Sequence, residues 1–263
     1  MLDILDMQES GGVLRLTMNR PERLNALNPA LATALRECFQ GLNRRTDIRV
    51  VILQGAGSSF CAGLDLKEQQ PGKDMGTSDM LAVQYSIRDI MLAMRRCPQP
   101  IISIVQGAAS GGGFALALAS DIRLATPDAR MNASFLRIGL TGCDMGVSYF
   151  LPRMVGSSVA AQYLLTGRFM DAARALALGL VSTVAPLPDL QQEAQALAED
   201  MLCTTPLGLR FTKEALGLSL DMGSLEAVMA MEDRQQVLCT QTEDFQEGMQ
   251  AFLQKRPPHY TGQ

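Results

Sequence analysis

Two hydrophobic periods alternate over the first part of the chain. Val13–Met18, Val50-Val51-Ile52-Leu53, Ile101–Val105 and Ile122–Ala125 are short apolar runs with the length and residue types of strands. The runs that begin at Val50 and Ile101 are apolar at nearly every position, as strands covered on both faces are. Between them the spacing lengthens to that of helices. Leu31, Leu35 and Leu42 recur after Pro29, with Ala34 and Cys38 on the same face, and Met80–Arg96 and Phe114–Ser120 follow the same rule. Turn chemistry separates the segments at Asn19-Arg20-Pro21, Gly55-Ala56-Gly57, Pro98-Gln99-Pro100 and the glycine-rich stretch Gly107–Gly113. Gln69–Asp79 holds Pro71, Gly72, Gly76, Thr77 and Ser78 and reads as a mobile loop.

This succession of strands and helices predicts an α/β fold for residues 1–195. Asp171 stands where it can cap a helix over Ala172–Leu178, and Gly179 where it can end it. Past Leu190 the strand signal stops. Gln191–Leu202, Leu207–Leu218, Leu225–Leu238 and Asp244–Leu253 carry helical spacing, which makes residues 196–263 a helical region.

Composition excludes several function classes. A chain of 263 residues, 47% hydrophobic, can bury a core without disulfides or a metal. A net charge of −4 offers no basic footprint for nucleic acid. The single histidine, His259, leaves no set for a histidine-built metal site, and none is expected. The six cysteines form no CxxC pair and read as reduced thiols of a reducing, cytoplasmic compartment. The acidic start, Leu2-Asp3-Ile4-Leu5-Asp6, lacks the pattern of a signal peptide. No apolar run reaches the roughly 18 residues of a membrane span.

Familiar catalytic motifs are absent. Gly107–Gly113 leads into Phe114, so it is no P-loop, and Ala108 breaks a nucleophile elbow around Ser110. What remains is a pair of similar junctions, Leu53–Leu66 and Val105–Ala117, each a buried strand followed by small residues and a turn. Glycines there let a backbone approach a ligand closely, or simply let a helix pack tightly on a strand. In the second junction the helix after Gly111-Gly112-Gly113 would aim free N–H groups outward. Two such donors on one oxygen would form an oxyanion hole suited to a thioester carbonyl gaining charge.

These segments resemble the enoyl-CoA hydratase/isomerase, or crotonase, superfamily. The resemblance lies in Asn19–Leu27, Phe60–Glu68, Gln106–Ala117, Ser120–Arg123, Ile138-Gly139-Leu140, Leu151–Gly156 and Phe252–Pro257, which follow one another in the family's order. It implies a crotonase-like spiral of ββα units with a C-terminal helical trimerisation region, forming a homotrimer or a dimer of trimers. It implies an acyl-CoA thioester as ligand, with no metal and no cofactor beyond the coenzyme A of the substrate. Carried over by motif, the oxyanion amides are those of Leu64 and Gly112. Arg23, Leu24 and Ala62 would line the coenzyme A pocket, with Asp65 and Leu66 next to it. Phe252 and Lys255 would reach the adenine and 3′-phosphate end.

One departure bears on the reaction. The resemblance places the two hydratase glutamates at positions where this chain has Ala115 and Phe135, neither able to move a proton. The segment Leu140–Gly146 is similar to the dienoyl-CoA isomerase branch, in which an aspartate serves as base, and Asp144 is the candidate here. The same residue would equally suit a loop or helix cap. Asp65 and Glu68 are expected to face solvent or hold a cap, and Tyr149 and Ser134 are lesser candidates. Two readings follow: an enoyl-CoA hydratase/isomerase-type enzyme, or a non-catalytic acyl-CoA binding protein that keeps the hole without the acids.

Overall fold

The computed structural model describes residues 4–68 and 76–263. A hairpin opens the chain, β1 (Leu5–Ser10) returning antiparallel on β2 (Val13–Met18) with Leu5 opposite Met18. Helix α1 (Pro29–Gly41) begins where the Asn28 side chain accepts the Leu31 amide, with Pro29 in the first helical position. Then come β3 (Val50–Gly55), α2 (Thr77–Arg96), β4 (Ile101–Val105), β5 (Ala108–Ser110), α3 (Gly112–Ala119), β6 (Ile122–Ala125) and β7 (Arg130–Asn132). Helices α4 (Val147–Val155) and α5 (Ser157–Thr166) lead to β8 (Met170–Asp171), α6 (Ala172–Ala177) and β9 (Thr183–Val184). Four helices follow: α7 (Leu187–Leu202), α8 (Pro206–Ser219), α9 (Leu225–Thr240) and α10 (Glu243–Gln254). Mixed α/β architecture is thus as expected, with Asp171 capping α6 through the Arg174 amide at 2.7 Å.

The main sheet runs β1-β2-β3-β4-β6-β9, parallel from β2 onward, and β5-β7-β8 form a smaller second sheet. Alternation along β3 explains its unbroken apolar run. Val51 and Leu53 join the large core with α1 and α2, while Val50 and Ile52 face a second cluster with Ile102, Ile104 and Leu124. That second face is closed by Leu190, Ala194 and Ala198, one stripe of α7 at four-residue steps. The division expected at residue 195 therefore falls inside α7, a helix that covers the sheet.

Most of the loop expected over Gln69–Asp79 lies outside the described residues. Its end, Thr77–Asp79, is the first turn of α2 instead, because the Asp79 side chain accepts the Gly76 amide at 3.2 Å and closes the helix start. Among the described residues no helix is long and apolar enough to cross a membrane. All six cysteines are free thiols.

Truncating Leu190, fully buried between α7 and the sheet, to alanine is expected to cost about 2–5 kcal/mol of stability. Urea unfolding of Leu190→Ala that matches wild type would mean α7 contributes little to closing that face.

Candidate active site

Two buried polar side chains gather the turn after β3. Asn25, left-handed at φ 54°, donates from Nδ2 to the carbonyls of Ala56 at 2.8 Å and Ser59 at 2.7 Å. Its Oδ1 accepts the Arg20 amide at 2.9 Å. From the next junction, Gln106 donates to the Gly55 carbonyl at 2.5 Å. Both residues lie in the motifs quoted above, yet neither stood out as a candidate, because uncharged polar residues beside glycines read as ordinary turn chemistry.

The segment leaving that turn is held along both edges. On one side, Phe60 donates to the Gln106 carbonyl, Cys61 to Ala108, and Ser110 back to Cys61. On the other, Ala62 donates to the Leu24 carbonyl, Leu27 to Gly63, and Asp65 to Leu27. The pairing of Leu27 with Leu64 uses the neighbours' groups and leaves the Leu64 N–H outside it. Gly63, at φ +98°, lets this strand lie against the second junction: a Cβ there would stand 2.7 Å from the Ser110 carbonyl oxygen and 3.5 Å from the Gly112 nitrogen. Gly113 is tighter still, since a side chain would collide with the Cys61 carbonyl. Helix α3 begins at Gly112 and is buried throughout. Among the described residues no acceptor takes up the Leu64 or Gly112 amide. The two amides sit on adjoining backbone segments, one of them at a helix N-terminus, an arrangement able to stabilise negative charge on an oxygen.

Asp144 lies on the loop before α4, one residue ahead of a contact with this pair. The following residue, Met145, packs on Gly112, where a Cβ would meet its sulfur at 3.4 Å and Leu27 Cδ1 at 2.9 Å. The Asp144 carboxylate accepts the Met145 amide at 2.7 Å and the Gln84 side chain of α2 at 2.5 Å. Burial pushes its pKa above the usual carboxylate range, and those two donors only partly oppose the rise. Ala115 and Phe135 are both buried, and the Phe135 ring packs at Gly111 beside Ser134 Oγ. A cavity of about 640 Å³ opens from Met145 and Gly146 along α2 to α8, walled by Met91, Leu92, Phe150 and Leu218. Tyr149 lines it with its hydroxyl bonded to Asp221 at 2.9 Å.

Asp65 does not face solvent. Its carboxylate is buried, pairs with Arg20 at 3.0 Å, and accepts the Lys67 and Glu68 amides at 3.1 and 3.3 Å. Burial alone would raise its pKa, but the Arg20 guanidinium and the two amides outweigh burial and hold it below the usual value. Arg20 also pairs with Glu68 at 2.7 Å and donates to the Ala26 carbonyl at 2.5 Å, tying residues 20–28 to residues 65–68. Read in the sequence only as part of a turn, Arg20 is the cation at the centre of this network.

Arg23, Leu24 and Ala62 come together through the Ala62–Leu24 hydrogen bond, with Arg23 and Leu24 exposed and Leu66 52% exposed nearby in the chain. Phe252, 84% exposed, and Lys255 lie at the end of α10, where the Lys255 amide donates to the Phe252 carbonyl at 3.2 Å. Among the described residues no hydrogen bond or ion pair joins these two to the other candidates.

Comparison with known proteins finds relatives over nearly the whole chain. The model of the enoyl-CoA hydratase/isomerase family matches residues 8–263. A Mycobacterium tuberculosis protein named "Probable enoyl-CoA hydratase EchA12" is 37% identical over 95% of this chain and 89% of its own. The 1,2-epoxyphenylacetyl-CoA isomerase of Escherichia coli K12 is 34% identical over the full length of both chains. The crystal structure of an enoyl-CoA hydratase from Bacillus anthracis superposes with a TM-score of 0.93 at 32% identity, over 99% of this chain and all of that one.

The two carboxylates should respond to pH in opposite directions. Asp65 has a lowered native pKa, so it contributes stability at neutral pH that is lost as pH falls through that native value. Asp144 has a raised native pKa, so its charge costs stability at neutral pH and protonation on acidification relieves that cost. At pH 7, Asp65→Asn should therefore lower the melting temperature and Asp144→Asn raise it by a few degrees. Calorimetry showing Asp144→Asn destabilised would contradict this account of its burial.

Proposed function

This chain belongs to the enoyl-CoA hydratase/isomerase family, and from that premise we propose that it is an acyl-CoA isomerase using one carboxylate. The Leu64 and Gly112 amides hold the thioester oxygen. Asp144 removes a proton from the carbon next to the thioester of a 3-enoyl-CoA. The resulting dienolate carries its charge on the oxygen held by the two amides. The same carboxyl then returns the proton at the γ-carbon, giving the conjugated 2-enoyl-CoA with no gain or loss of atoms. Such a transfer needs only a positioned base with a raised pKa and a charge-stabilising site, so neither a metal nor a redox cofactor enters it.

The observation that carries this reading is the position of Asp144 beside Met145, which packs on Gly112, while Ala115 and Phe135 are apolar. Hydration would need a second group to hold and activate water, and the latter two positions offer none. The cavity beyond Met145 offers Met91, Leu92 and Phe150 to the acyl chain, with charged side chains such as Arg95, Arg210 and Glu214 also in its wall. Arg23, Leu24, Ala62, Asp65 and Leu66 form or support the coenzyme A entrance, and Phe252 and Lys255 reach its adenine end across a subunit boundary. Trimeric assembly is supported by apolar side chains left bare on the last helices, among them Leu225 at 71% and Leu253 at 75% exposure. Free thiols suit a reducing, cytoplasmic setting.

A panel of 2-enoyl-, 3-enoyl- and dienoyl-CoA thioesters, read by mass and ultraviolet absorbance, tests the reaction. The expected product keeps the mass of its substrate. Gly112→Pro should lose about 10²–10³ in rate with its backbone donor, and Asp144→Asn should abolish turnover while still binding acyl-CoA. A product heavier by one water, or undiminished turnover in Asp144→Asn, would overturn the isomerase reading. Light scattering is expected to give three or six times the 28.4 kDa chain mass, and a monomer at micromolar concentration would refute the assembly.

A further inference from the structure

Both donors that reach Asp144 end on one oxygen. The Gln84 side-chain amide, sixty residues away in sequence, meets Oδ1 at 2.5 Å, and the Met145 main-chain amide meets the same atom at 2.7 Å. Among the described residues Oδ2 has no hydrogen-bond partner. The Met145 donor belongs to the next residue and moves with the loop, so it cannot orient that loop against the rest of the fold. Gln84 can, because α2 is anchored in the core through Ile87, Ile90, Met91 and Met94.

We propose that Gln84 is a positioning residue, holding Oδ1 of Asp144 so that Oδ2 is the atom that takes and returns the substrate proton. This rests on the reading of Asp144 as the base and adds to it which oxygen acts and what aims it. A carboxylate pivots about its Cβ–Cγ bond, so fixing one oxygen from a second element sets the direction of the other. The donor also favours the ionised form that burial disfavours. Among the described residues no charged side chain of α2, α4 or the intervening loop acts on Asp144, so Gln84 is the side chain through which its titration can be tuned.

The test is a pH titration of the full-length protein with ¹³C-labelled aspartate carboxyls, the Asp144 signal being assigned by its loss in Asp144→Asn. Gln84→Met keeps the length of the side chain and removes the donor. Its Asp144 midpoint should rise by about one unit. The acid limb of kcat/KM, which rises as the base ionises, should move to higher pH with it, KM staying nearly unchanged. Gln84→Glu sets a carboxylate against a carboxylate and should split the titration into two coupled steps. Asp144 curves in both variants that superimpose on wild type overturn the proposal. The titration needs no substrate, so its outcome stands apart from the base assignment, which fails instead if Asp144→Asn turns over normally.

Discussion

The approach of Gly113 to the Cys61 carbonyl sets the spacing of everything around it. With no side chain between them, α3 can start directly against the strand-like segment that follows β3. A single methyl group there would push the two junctions apart, and the Leu64 and Gly112 amides would diverge with them. The hydrogen bonds on both edges of residues 60–65 then act as a clamp. They consume the neighbouring donors and acceptors and leave those two amides without an acceptor among the described residues. Unsatisfied N–H groups near a buried surface are costly, and that cost is what supports the proposed oxyanion site.

Charge is distributed around this clamp in two contrasting ways. Asp65 is buried with its counter-ion, two amides and a rigid backbone around it, so it behaves as a fixed strut between two loops. Asp144 is half-buried with two neutral donors and, among the described residues, no counter-ion, so its charge is tolerated rather than welcomed. One aspartate strengthens the scaffold and the other strains it. Such a division is common where a site needs a carboxylate that can readily exchange its proton.

How far the sequence exposed this arrangement depended on periodicity. The strands β3 and β4 and the helix α1 have apolar spacing that can be read directly, because burial on one or both faces imposes it, whereas α6 is legible from its Asp171 cap and α8 keeps helical leucine spacing with Lys213 as its buried residue. The edge strand β1 escaped notice, since only Leu5 of its six residues is buried and the rest read as polar surface. Strands β5, β7 and β8 are two or three residues long, too short to carry a period. At the site, glycine spacing points only to the two junctions, and Leu64 and Gly112 are singled out by the family resemblance alone. Gln84 is not singled out, because a glutamine on an amphipathic helix looks like solvent-facing surface until the fold brings a loop sixty residues distant against it. Arg20 was hidden likewise in a turn signal, and its burial follows only from Asp65 and Glu68 being carried to it.

The amides of Leu64 and Gly112 belong to the main chain, and that has a consequence for heredity. Nearly any codon change at Leu64 leaves its N–H in place, since only proline lacks one. The N–H at that position therefore survives most changes of its own side chain, whereas Gly63 and Gly113, which bring the two segments together, tolerate no added methyl group. A lineage built on this scaffold can thus vary the side chain at Leu64 and keep the donor, while the glycines beside it are pinned by what they touch.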